Sequence, residues 1–148
     1  MATPTYEVIE SKILLSSAAS VTFSSIAADW TDLILITSTA SNYSYTQLTG
    51  TGSSAISVRG TSQTAIRVDD WAAAVTSIEN AYIIQLQNYS NTTTYKTVLT
   101  RTNTAANGVD ATVGLWRNTA AITSILYYPG VGSWITGSTF TLYGIKAA

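Results

Sequence analysis

The sequence predicts an all-β fold, an antiparallel β-sandwich of jelly-roll type, and three observations carry that reading. Short runs of β-formers alternate apolar and polar residues with a period of two, as a sheet with one buried face requires. Turn residues interrupt these runs about every eight to twelve positions, the spacing of a sandwich or barrel. No train of helical segments alternates with the runs, as parallel βαβ units would demand. The 148 residues are expected to form one domain spanning residues 1–148.

The expected elements follow in order. Residues 6–15 read as a first strand with Glu7, Ile9, Ile13 and Leu15 on one side, and residues 16–20 as a small polar loop. Residues 21–23 form a short second strand. Residues 27–32 turn into Leu33-Ile34-Leu35-Ile36, whose unbroken branched run predicts a strand covered on both faces. A Tyr-rich strand over 42–49 is closed by Gly50-Thr51-Gly52, and residues 56–58 are expected to pair with 64–69 around Gly60-Thr61. Residues 71–80 lean helical through Ala72-Ala73-Ala74, or form a loop with one helical turn. Strands return over 81–87 and 95–102, separated by a turn at 88–93 and followed by a loop at 103–108.

The last third is the most clearly patterned. Val109, Ala111, Val113 and Leu115 share one side of a strand; with Val113 and Leu115 inward, Trp116 lies on the outer face or packs against a second surface. Ile122, Ser124 and Leu126 alternate with Thr123, Ile125 and Tyr127. Phe140 and Leu142 point opposite to Thr139, Thr141 and Tyr143, with Phe140 on the buried face. Asn118-Thr119 and the Pro129-Gly130-Val131-Gly132 run supply the reversals.

Composition narrows function mainly by exclusion. Charged residues are 10% of the chain, against about 25% in an average globular protein. Ser and Thr, about 43 residues by count, take their place and keep a surface wet without charge. The net charge of -1 comes from residues scattered singly, so no basic stripe follows phosphates and no nucleic-acid partner is expected. The apolar run at 33–36 is far shorter than a membrane span, and the start lacks a charged region leading into an apolar core. Without Cys or His, the chain has no thiol nucleophile, no sulfur ligand and no ordinary general base. Its many serines have no activating partner or nucleophile elbow, so no enzyme, cofactor or metal is expected.

The acidic residues add little. Asp69 and Asp70 would leave a strand on opposite faces, so a solvated turn is the preferred reading over a share in a calcium site. Asp29 and Asp32, flanking Trp30, are read as turn caps through side-chain to backbone bonds. Aromatic residues are the better candidates for contact, because exposed rings anchor protein interfaces or stack on sugars. Trp71 stands at the Asp69-Asp70 corner and Trp134 follows the glycine-rich turn, so both are expected to be exposed. Trp116, in opposite phase to Val113 and Leu115, and its neighbour Arg117 complete the set of candidate partner contacts.

Several segments resemble small Ser/Thr-rich virion proteins of tailed bacteriophages, of the cyanophage type. They are Tyr6-Glu7-Val8-Ile9-Glu10-Ser11-Lys12, Val21-Thr22-Phe23-Ser24-Ser25-Ile26, Trp30-Thr31-Asp32-Leu33-Ile34-Leu35 and Ser41-Asn42-Tyr43-Ser44-Tyr45-Thr46. Gly114-Leu115-Trp116-Arg117-Asn118-Thr119-Ala120-Ala121-Ile122 and Thr141-Leu142-Tyr143-Gly144-Ile145 follow, so the matching pieces run in order along nearly the whole chain. The family usually has one more strand-like segment before the Asn-Tyr-Ser-Tyr motif, which here implies one hairpin fewer.

The resemblance implies a non-enzymatic virion component. The expectation drawn from it is a decoration or cement protein on the outer surface of the major capsid protein lattice. Such a protein is expected to self-assemble as a homotrimer or another small cyclic oligomer. The alternative is a tail-fibre or appendage module that binds host surface glycan. The sequence contains no fibrous or trimerising stretch, which favours the capsid.

Overall fold

A computed structural model describes residues 5–39, 46–50, 55–57, 63–69, 79–104 and 108–146. The described residues form eleven strands in two antiparallel sheets and no helix. The larger sheet has seven strands: β1 (Tyr6–Ile13), β3 (Asp32–Thr39), β5 (Ala55–Ser57), β7 (Asn80–Leu86), β8 (Lys96–Thr104), β9 (Gly108–Trp116) and β11 (Thr139–Ile145). Their order is β1-β11-β3-β7-β8-β9-β5. The smaller sheet is β2-β10-β4-β6, made of β2 (Val21–Phe23), β4 (Thr46–Gly50), β6 (Ile66–Arg67) and β10 (Ile125–Pro129).

Period two accounts for the sandwich. Leu33 and Leu35 on β3, Tyr82, Ile84 and Leu86 on β7, and Phe140 and Leu142 on β11 leave their strands on one side and are fully buried. Phe23, Leu48, Ile66, Ile125 and Tyr127 do the same from the smaller sheet, and one apolar cluster joins the two sets. Each such side chain contributes roughly 1.5–3 kcal/mol on leaving water. Gly114 permits the closest approach between sheets: a Cβ there would lie 2.6 Å from Cγ2 of Ile66. Beside it, the hydroxyls of Thr100 and Thr112 both donate to the Val68 carbonyl, at 2.7 and 3.0 Å.

Two side chains tie loops to this frame. Tyr89 is buried; its hydroxyl donates to the Ala27 carbonyl and accepts the Trp30 N–H at 3.3 Å, which fixes the β2–β3 connection. Burial raises its pKa above the usual tyrosine value, the Trp30 bond offsets part of that, and the Asp29 charge adds to it. Lys96 is also fully buried, and its ammonium donates to the carbonyls of Asn118, Thr119 and Ala120 at 2.9, 2.8 and 2.7 Å.

Several expectations need correction. Among the described residues of the expected pair 56–58 and 64–69, β5 joins β9 in the larger sheet, whereas β6 joins β4 in the smaller one; residue 58 lies outside the described residues. In the Leu33–Ile36 run, Leu33 and Leu35 are buried on the inner side and Ile34 on the outer side is buried as well, but Ile36 on the outer side is 42% exposed, so the outer face is covered only in part. In β1 a bulge between Val8 and Glu10 breaks the expected alternation, so Val8 and Ile13 face out while Lys12 turns inward over the Phe23 ring, 5.4 Å from its centroid. The helical leaning expected at 71–80 falls largely outside the described residues, as does 42–45 of the Tyr-rich strand.

Candidate functional site

The phase of β9 decides which surface the molecule offers. Trp116, Gly114 and Thr112 face the smaller sheet, and Trp116 is fully buried. Val109, Val113 and Leu115 are therefore turned out, at 79%, 51% and 40% exposure. Both phases of this strand hold apolar residues, so periodicity alone does not choose between them. Burying the large indole, with Gly114 making room for Ile66, favours the observed phase. Val113 and Leu115, expected inward, therefore face out, whereas Trp116, expected on the outer face or against a second surface, packs in the core between the sheets.

The outward side chains of six strands then form rows across the larger sheet. The first row runs Ile13, Thr139, Ser38, Ala81, Asn103, Val109. The second runs Ser11, Thr141, Ile36, Ile83, Arg101, Ala111, and the third Val8, Tyr143, Ile34, Gln85, Leu99, Val113. Arg101 is the one charged residue in these rows. At about 4.8 Å between strands and about 6.8 Å between rows, the face spans on the order of 500 Å². Eleven of these eighteen side chains are apolar, and an exposed apolar cluster of this kind marks an interaction surface.

Over β7, β8 and β9 the face is hollowed into two adjoining depressions of about 510 and 400 Å³, which share Ile83, Arg101 and Ala111. Ala81 and Ala111 carry only methyl groups, so the longer Ile83, Leu99 and Val113 stand around low ground. The outer face of the smaller sheet differs. Its strands turn out Thr22, Gln47, Thr49, Arg67, Leu126 and Tyr128, a more polar set.

The contact residues expected from sequence are distributed otherwise. Trp134 is fully buried, stacked on Tyr127 with centroids 5.0 Å apart and edge-on to Phe140 at 5.5 Å. Its backbone pairs with Ala18 in both directions, at 2.8 and 3.1 Å, so the segment after the glycine-rich turn folds back and carries the ring inside. Trp116 is in the core as well, and neither ring is available to a partner. Trp71 and Asp70 lie outside the described residues. Arg117 is exposed, its guanidinium 5.9 Å from the centre of the Tyr95 ring.

Asp69 is not in a solvated turn. It is fully buried and accepts the Thr46 N–H at 2.9 Å, joining the ends of β4 and β6. Asp32 does bond to backbone, but across the fold, accepting the Asn88 N–H at 2.8 Å. Among the described residues no three acidic side chains converge as a metal site.

No protein-family model matches this chain, and no curated protein matches it. The outer face of the seven-stranded sheet is the surface on which a functional reading must rest. Sequence reading missed Ile36, Ile83, Leu99 and Arg101. The available signal was a set of strands apolar in both phases, crossed by a single arginine in a threonine-rich strand.

Proposed function

We propose that this protein is a non-enzymatic bacteriophage virion component, a decoration protein that binds the outer surface of the major capsid protein lattice and stabilises the head. One observation carries the reading: a sandwich with a complete core turns a broad, almost uncharged apolar face to its surroundings. Such a face is costly to leave in water and favours a protein partner. The segments that resemble tailed-phage virion proteins support the same reading. So does the jelly-roll form of the sandwich, which we also propose. Leaving out β5, β8 and β9, the order β1-β11-β3-β7 lies against β2-β10-β4-β6. Successive strands then change sheet at every step except from β4 to β6.

The glycan-binding alternative relied on exposed aromatic residues; the burial of Trp116 and Trp134 removes two candidates, while Tyr6 and Tyr95 remain exposed. Self-assembly into a small cyclic oligomer stays part of the proposal, favoured by a surface with little charge repulsion. Quantitative mass spectrometry of purified virions tests it. Hundreds of copies per particle are expected; a few to a few tens would assign the protein to the tail.

A further inference from the structure

We infer that the outer face of the seven-stranded sheet docks on a protein surface presenting a single carboxylate within an apolar patch, with Arg101 as the residue that reads it. The inference rests on the capsid reading above and specifies the chemistry of that contact. Arg101 stands between Ile83 and Ala111 in its row, and all three line both depressions. Its guanidinium has no hydrogen bond or ion pair with any described residue.

The acids around the face are already engaged. Glu79 accepts the Ser38 hydroxyl at 3.2 Å, Asp32 holds the Asn88 N–H, and Asp110 has an interaction of its own within the chain. Covering this face with a purely apolar partner would strand a buried charge, which costs far more than apolar contact returns. The occupant therefore brings an acceptor to Arg101, and a planar carboxylate matches the two-pronged donor geometry of a guanidinium. A second copy paired face to face offers no such group, because its matching face holds the same lone arginine. Nucleic acid is disfavoured too, since one cation among Ile, Leu, Val and Ala does not track a phosphate backbone. A single arginine centred in an apolar depression is instead the make-up of an interface hot spot.

The test uses the full chain and undecorated capsids from virions that carry it, with binding measured by co-sedimentation. Arg101→Glu and Val113→Arg alter exposed side chains, and melting curves first establish that both variants fold. Each is expected to weaken capsid binding about thirtyfold or more, while Arg101→Gln loses less than Arg101→Glu. Wild-type protein that binds capsids together with variants that bind equally well would overturn the inference and leave the decoration reading standing. Wild-type protein that fails to bind capsids would end both. If the variants lose self-association by sedimentation velocity but keep capsid binding, the face belongs to a second copy and the inference is wrong.

Discussion

Trp134→Ala should destabilise the protein by about 4 kcal/mol, most of the stability of a domain at the low end of the ordinary range of about 5–15 kcal/mol. The indole is fully buried between Tyr127 and Phe140, and its N–H reaches toward the Tyr127 carbonyl at 3.5 Å. Truncation would empty the space between two aromatic rings and loosen the strand-like pairing of Trp134 with Ala18. From sequence alone the opposite result was expected, an intact fold with weakened attachment. Urea unfolding followed by far-ultraviolet circular dichroism separates the two. A midpoint close to that of the wild type would mean that the ring is not part of the core.

Lys96→Met is expected to cost about 2 kcal/mol and to free the chain around residues 118–120. Three carbonyl oxygens lose their donor, each bond contributing about 1 kcal/mol or more, and relief of the buried charge returns part of that. The pH dependence follows from the same burial, which lowers the Lys96 pKa from its ordinary value of 10.5. A lysine pKa lower in the fold than in the unfolded chain means that the unfolded chain binds the proton more tightly. The cost of burying the charge is then fully present at neutral pH. It is relieved as pH rises through the folded pKa towards the unfolded one, so the wild type gains stability relative to Lys96→Met in that alkaline window. Denaturant titrations of both proteins at neutral and alkaline pH measure the gap, which should widen. Hydrogen exchange should quicken at the Ile122 amide, which donates to the Tyr89 carbonyl next to the freed segment. A gap that narrows with pH, or unchanged exchange there, would mean that Lys96 does not hold the segment.

The sequence made the strands legible and left their pairing and facing partly open. Phe140 and Leu142 were readable as core because Thr139, Thr141 and Tyr143 hold the opposite phase, whereas the unbroken run Leu33–Ile36 did not show which side faces in. Period two fails where both phases are apolar: in β9 nothing local distinguishes Trp116 and Gly114 from Val113 and Leu115. The choice is made by Ile66, which is distant in sequence and packs against Gly114. Pairing of β5 with β9, and not with the nearer β6, is likewise a long-range outcome. Trp134 illustrates a further limit, since a glycine-rich turn foretells a reversal but not the direction in which the returning chain sends its side chains. The candidate surface was hidden for the same reason: a face made of one residue in two from six strands has no contiguous signature.

Hydroxyl-radical footprinting of the protein free and bound to capsids tests the central claim most directly. The account predicts protection of Val109, Val113, Leu115 and Ile36 on the particle, with Leu126 and Tyr128 on the smaller sheet unchanged. Protection of Leu126 and Tyr128 with Val109 and Val113 still fully reactive would contradict it, because the seven-stranded sheet would then face solvent on the assembled particle.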